Sequence, residues 1–326
     1  MKTAKLLQRT GLSKVRWVLP LGASLLLWMV ASGISGRISL NLLFVNITLA
    51  SFVALVAVGQ MLVVAAGDGS FDLSIPYVMT LAAYISGVAS GGTNSHLLLA
   101  ILAGLGVGLA AGAFNGLLVV GPGLPPIVAT LATGYIAYTI VLLKGNGSQV
   151  IVAPRIISFG QQSWHGLTLV VLAAVIVLAA VALLRGQGRY GMYLHAVGQS
   201  RPAAALAGIP VRRVVVLTFG LSAVLAAIAG ILLSGYAGGA FANMGDPYLI
   251  ASVAAIVVGG TSVRGGESAI AATVFGATTI SLLTAVLELS GAAPGIQDMV
   301  EGAVIIGVVI VVTRAQRERG SREAGA

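Results

Sequence analysis

The 326-residue chain contains no cysteine, which excludes disulfides, thiolate metal sites and a cysteine nucleophile. Charge is almost as scarce. Asp, Glu, Lys and Arg make up 8% of the residues, against about 25% in an ordinary soluble domain, so a soluble globular fold is excluded. Lysine occurs only at Lys2, Lys5, Lys14 and Lys144, never in a Gly-x-x-x-x-Gly-Lys-[Ser/Thr] context, and the chain therefore lacks that phosphate-binding loop. His96, His165 and His195 stand far apart near the ends of apolar segments, a pattern that fits neither a metal site nor a Ser-His-Asp hydrolase. Catalysis by this chain is not expected, nor is a bound metal or cofactor.

Apolar and small residues are abundant instead: 58% of the chain is hydrophobic and 44 residues are glycine, with a mean hydropathy of +1.02. Disorder is ruled out by so much apolar surface, and the composition fits transmembrane helices that pack through small residues. The net charge of +9 comes from bases at the ends of apolar runs, as the positive-inside rule expects. Membrane lipid rather than nucleic acid is the expected environment of these bases.

About ten apolar runs are present, at 17–34, 38–66, 73–88, 96–120, 127–143, 167–184, 214–235, 249–260, 269–289 and 296–313, where a span needs about 20 residues. The expected fold is an all-α polytopic membrane protein. The second, third and eighth runs are the ones expected to be broken, tilted or re-entrant, which is allowed only where protein or a water-filled path covers the backbone. Lys2, Lys5, Arg9, Lys14 and Arg16 precede the first run, Arg185, Arg189, Arg201, Arg212 and Arg213 fill the central loop, and Arg314, Arg317, Arg319 and Arg322 follow the last. Six runs before the central loop and four after it place all three groups, and Arg264, on the cytoplasmic side. Only Arg37, Lys144 and Arg155 fall outside, and eight spans with two re-entrant segments would satisfy the same count. The first run is longer than a signal-peptide core and further spans follow it directly, so it reads as an uncleaved helix. The whole chain, 1–326, is then one membrane domain with a cytoplasmic segment at 1–16, a loop at 186–213 and a tail at 314–326.

Charge within the runs is rare, and a proton-relay array is missing. Asp298 and Glu301 start the last run, where carboxylates complement the helix dipole; Glu288 ends the ninth, and Glu267 lies beside Arg264. Asp68 and Asp72 occupy a glycine-rich break. Asp72 either caps a helix start or holds a broken helix open beside a solute route. Transport powered by this chain alone is thus poorly supported, and its energy source is sought in a partner that docks on the 186–213 loop, where short helical pieces end at Gly208-Ile209-Pro210-Val211.

The loop Gly188-Arg189-Tyr190-Gly191-Met192-Tyr193-Leu194-His195-Ala196-Val197-Gly198, continuing through Arg201, Ala204, Leu206 and Gly208 to Val211, resembles the coupling segment of ribose-type ABC transporter permeases. Phe71-Asp72-Leu73-Ser74, Phe114-Asn115-Gly116, Pro125-Pro126-Ile127-Val128-Ala129-Thr130-Leu131-Ala132-Thr133 and Gly259-Gly260-Thr261-Ser262-Val263-Arg264-Gly265-Gly266 are similar to further motifs of that family, in order along nearly the whole chain. Asp246-Pro247-Tyr248 is similar to a variant in some members. Ser70, Phe71, Pro76 and Arg264 depart from the common pattern, and the stretch 249–252 lacks acidic residues common there; these differences leave the class intact and the transported solute open.

The resemblance implies a membrane subunit that pairs with a second permease copy, identical or a sister chain. ATP-binding cassette subunits, holding ATP and magnesium, would dock on Gly188, Arg189, Ala196, Val197, Gly198, Arg201, Ala204, Leu206, Gly208 and Val211. An extracytoplasmic binding protein would deliver the solute. A neutral sugar calls for hydroxyls and amides, which Ser74, Asn115, Thr130, Thr133 and Thr261 supply beside Asp72; each of them serves equally as a helix-helix hydrogen bond. Gly259, Gly260, Gly265 and Gly266 permit tight turns and close packing. The breaks at 67–74 and 259–266 echo one another, as paired breaks in duplicated transporter halves do. Branched-chain amino acids or nucleosides are alternative cargoes, and a stand-alone secondary transporter is the alternative of a different class.

Overall fold

The computed structural model describes residues 17–36, 38–145, 149–262, 265–266 and 268–323. The bases of segment 1–16, Arg37, Arg264 and Glu267 lie outside the described residues. The described chain is helical almost throughout: α1 Val18–Ile34, α2 Leu40–Ala65, α3 Ile75–Ser90, α4 Leu97–Val120, α5 Pro126–Gly145, α6 Pro154–Gln161, α7 Leu169–Gln187, α8 Arg189–Gln199, α9 Arg201–Leu206, α10 Val211–Ala237, α11 Pro247–Val258, α12 Ile270–Leu289 and α13 Pro294–Glu323. A two-stranded hairpin, β1 Ser163–Trp164 and β2 Leu167–Thr168, interrupts the helices. It turns at His165 and Gly166, both with positive φ, the backbone that a two-residue hairpin loop needs.

Among the described residues six helices, α2, α4, α5, α7, α10 and α12, are long and apolar enough to cross a membrane, whereas α1, α3 and α11 are apolar but shorter. The protein is thus an all-α, multi-pass membrane protein apart from the small hairpin. The two shortest of the apolar helices follow breaks. The 16-residue α3 starts inside the bundle after the turn at 67–70, and the 12-residue α11 starts after the chain at 239–246 has entered the bundle from the opposite end. There Val150 and Ala240 exchange backbone hydrogen bonds of 2.8 and 2.9 Å, and Gly245 N–H donates to Thr80 Oγ1 at 3.1 Å.

The core sits around α2 and α10. From Ser51 to Ala65 every residue of α2 is buried, as expected of a helix that is apolar all round. α4 meets α10 through glycines spaced four apart: a Cβ at Gly108 would stand 2.7 Å from Ala223 O, and one at Gly116 2.6 Å from Val216 Cα. Glycine on one helix face lets the two backbones touch, the usual contact where lipid leaves van der Waals packing as the main attraction. On the far side, α1 lies on α12 with Ser24 Oγ 3.0 Å from Thr279 Oγ1.

The break before α3 is built by three consecutive left-handed residues, Gly67, Asp68 and Gly69, with φ of 76°, 55° and 61°. Two glycines carry that geometry without a Cβ penalty. Pro76 in the first turn of α3 and Gly91 in the left-handed C-cap then delimit the short helix in the usual proline-first, glycine-last order.

Candidate functional site

Asp72 is fully buried and its carboxylate gathers three donors. Ser74 N–H and Ser74 Oγ donate to Oδ1 at 3.0 and 2.5 Å, and Ser222 Oγ of α10 donates to Oδ2 at 2.8 Å. The N-cap of α3 is Ser74, without a side-chain cap bond, so the Asp72 carboxylate closes a turn on the Ser74 N–H just before the helix rather than capping its first turn. Asn115 Nδ2 of α4 donates to Ser74 Oγ at 2.9 Å. The backbone N–H of Asp72 donates to Gln60 Oε1 of α2 at 3.1 Å, and that of Leu73 to Thr130 Oγ1 of α5 at 3.0 Å.

One broken segment is thereby tied to α2, α4, α5 and α10, which satisfies backbone groups that lipid could not. Gln60 Nε2 and Asn115 Oδ1 are buried without a hydrogen-bond partner among the described residues, so the knot keeps an unpaired amide donor group and an unpaired acceptor. The structure brings Asp72, Ser74, Asn115 and Thr130 together. Thr133 lies one turn further along α5 and donates to Ala129 O at 3.1 Å, whereas Thr261, buried and with no hydroxyl partner among the described residues, follows α11. Gln60 and Ser222 were missed by sequence reasoning. A lone glutamine within an apolar run was a usable signal; Ser222, 150 residues from its partner, offered none.

Immediately beyond the knot, both glycine breaks converge on α8. A Cβ on Gly67 would lie 2.8 Å from Gly198 O, one on Gly265 would lie 2.6 Å from Gly67 Cα, and Gly198 itself packs against Ala65 O and Gly266. Gly266 N–H donates to Ala65 O at 3.1 Å. His195 Nδ1 sits 2.7 Å from Gly266 O, so this histidine has a packing role. Gly260, Gly265 and Gly266 have positive φ and make the turn, while a Cβ on Gly259 would stand 2.8 Å from Ala272 O, so that glycine serves close packing. At the start of α9, Arg201 Nε lies 3.0 Å from Asp68 Oδ2 and Nη2 donates to Ser70 Oγ at 3.2 Å. Ser70, a departure from the family pattern, thus supplies a contact that glycine could not.

Within segment 188–211, Val197, Gly198 and Ala204 are buried, whereas Arg189, Leu206 and Gly208 are exposed; Gly188, Ala196, Arg201 and Val211 are intermediate. Leu206, at 91% exposure, is an apolar side chain with nothing covering it. Tyr190 anchors the segment by its hydroxyl, 3.0 Å from Thr218 Oγ1 of α10. Burial pushes its phenol up to about 12, against the smaller lowering effects of Thr218 and Arg185. Glu301 corrects the helix-terminal reading: it lies two turns into α13, is buried, and accepts from Thr284 Oγ1 of α12 at 2.8 Å.

Comparison with known proteins agrees with this architecture. The model of a family described as branched-chain amino acid transport system / permease component matches residues 42–309. The galactofuranose transporter permease protein YtfT of Escherichia coli (strain K12) is 36% identical over 269 residues, covering 79% of this chain and 76% of the relative. The ribose import permease protein RbsC of the same organism is 30% identical over 287 residues, 85% of this chain and 87% of the relative. The fructose import permease protein FrcC of Rhizobium meliloti is 31% identical over 271 residues, 80% and 74% of the two chains. No solved structure matches. With the family model spanning most of a multi-pass helical bundle, the chain belongs to the family of branched-chain amino acid transport system permease components and is a transport subunit of the inner membrane.

Proposed function

We propose that this chain is the membrane subunit of an ATP-binding-cassette importer for a monosaccharide or similar small polar solute. The observation that carries the coupling half of this reading is the junction of Gly67, Gly198 and Gly265. It fastens α8 and α9, the segment that resembles the coupling region, to the break that holds Asp72. A partner that moves α9 pulls on a broken helix rather than on an isolated surface loop. The cargo half is supported by the names of the relatives, which concern galactofuranose, ribose and fructose.

In this reading the chain is one permease domain of about ten spans with both termini, segment 186–213 and tail 314–326 in the cytoplasm. The six long helices cross fully, while α1, α3, α11 and the apolar start of α13 complete the count, two of them as half-helices behind re-entrant breaks. Two copies, identical or sister chains, enclose the path. Two ATPase subunits hold ATP and magnesium and dock on the exposed side of α8 and α9, with Leu206 and Arg189 outward. An extracytoplasmic binding protein delivers the solute. Asp72, Ser74, Asn115 and Thr130 act as the polar hinge of the path, with Thr133 and Thr261 flanking it.

Reconstitution tests the whole. Permease, ATPase and binding protein in proteoliposomes are offered radiolabelled D-ribose, D-galactose, D-fructose, leucine and adenosine, with and without ATP. Sugar uptake that needs all three components and ATP is the expected result. Leucine or adenosine uptake would reassign the cargo, and ATP-independent flux by the chain alone would move it to the secondary transporters.

A further inference from the structure

Asp246 is exposed in the single chain although it sits deep in the bundle. Its depth follows from contacts. The Asp72 knot lies level with Gln60, five residues before the end of α2, about 8 Å along that helix. Gly245, next to Asp246, packs on Pro76 O and bonds Thr80 Oγ1, five residues beyond the start of α3 and thus about 8 Å deeper still. Asp246 therefore stands near the middle of a hydrocarbon core about 30 Å thick.

The same level carries an aromatic ledge. Tyr77 of α3 stacks on Tyr135 of α5 with ring centroids 5.9 Å apart and touches Tyr138 at 5.6 Å. Tyr135 is 56% exposed, and Asn243 is exposed beside Asp246. The ion pair among the described residues joins Arg201 to Asp68, so no described cation pairs with Asp246. A carboxylate at mid-bilayer facing lipid costs at least several kcal/mol, which is why such groups face protein or water-filled cavities.

We infer that Tyr77, Tyr135, Tyr138, Asn243 and Asp246 form one wall of a water-filled solute path, and that this ledge contacts a neutral polyhydroxyl solute during passage. The ring faces cover the C–H face of a sugar, and the carboxylate and the Asn243 amide accept and donate hydrogen bonds to its hydroxyls. The buried Asp72 knot then serves as a hinge, with solute contact about 8 Å further in. This inference rests on the importer reading, and the second copy of the chain closes the opposite side of the path.

The absence of native cysteine makes the test direct. Asp246→Cys and Tyr135→Cys are each introduced into the full permease, assembled with its ATPase and binding protein in membranes, and treated with a charged, membrane-impermeant methanethiosulfonate. Leu109→Cys, at an apolar position of α4 that is 61% exposed, is the control outside the proposed wall. Labelling of positions 246 and 135 in at least one of the nucleotide-free and ATP-trapped states, with position 109 unlabelled, is the expected result. In uptake, Asp246→Asn is expected to lose at least tenfold while Leu109→Cys keeps the wild-type rate. No labelling at 246 and 135 in either state overturns the inference even where the wild-type complex imports sugar. A wild-type complex without ATP-dependent uptake overturns the importer reading instead, and leaves the labelling result to decide whether the wall is wet.

Discussion

Arg201 and Asp68, 133 positions apart in the sequence, meet with Nε 3.0 Å from Oδ2 at the point where α9 touches the break before α3. Asp68 is 62% exposed and Arg201 21%. A pair this open contributes at most about 1 kcal/mol to stability, so its value lies in position rather than in holding the fold.

Arg201→Ala is accordingly expected to leave expression and melting almost unchanged while reducing solute moved per ATP hydrolysed. Reversal of the pair, Arg201→Asp with Asp68→Arg, restores part of that ratio. Parallel uptake and ATPase assays on the reconstituted complex check it; equal loss of both activities in Arg201→Ala would point to failed docking instead.

Gly198 and Leu206 separate packing from docking within one segment. A side chain at Gly198 collides with Ala65 O and Gly266, so Gly198→Leu is expected to lower the melting temperature by several degrees, as core overpacking of about 1 to 3 kcal/mol does. Leu206→Glu touches nothing and leaves melting unchanged, yet abolishes co-purification of the ATPase. A pull-down beside a detergent melt distinguishes the two.

At Asp72, replacement by Ala leaves Ser74 and Ser222 hydroxyls buried without their acceptor, a loss of about 1 to 3 kcal/mol for each unpaired group. Asp72→Asn retains an acceptor for Ser74, and its amide can donate to the Ser222 oxygen, so a smaller loss is expected. The melting order wild type, Asn, Ala, with uptake following it, is the expected outcome. Wild-type melting in Asp72→Ala would remove the knot from any structural role.

The Tyr190 phenol, raised from 10.0 to about 12, gives a pH signature. The unfolded phenol ionises above pH 10 while the folded one does not, so the folded state binds more protons there and stability falls as pH rises. Below pH 10 this group contributes no pH dependence. Melting temperatures between pH 8 and 11 are expected to decline more steeply for the wild type than for Tyr190→Phe at the alkaline end.

Much of this was legible in the sequence because glycine, proline and hydropathy are local signals. The short run at 249–260 and the glycine-rich break at 67–74 both stand at apolar helices shorter than a membrane span, and the two glycine motifs meet at Gly198. Helix α6 was not read from the sequence: its apolar residues do gather on one side, but its eight residues fall far short of the roughly 20 of a span. Nor was the neighbour that covers the inward side of α8, where Leu194, Val197 and Gly198 are buried, because an amphipathic helix of eleven residues does not by itself say which element its apolar face meets. The partners of Asp72 depend on which helices neighbour one another, and Ser222 looks like any other serine in an apolar run.

The glycine-lined contact of α4 with α10 has a mechanical consequence. Backbones that touch cannot slide gradually, because every intermediate offset drives a carbonyl into a neighbouring Cα. The two helices therefore behave as one beam, and α10 alone is 27 residues long, about 40 Å. The beam begins just after α9 and ends just before the chain turns inward toward Asn243 and Asp246. A small tilt imposed at the first end arrives at the second as a displacement of the ledge, with the intervening core acting as fulcrum rather than as a cushion.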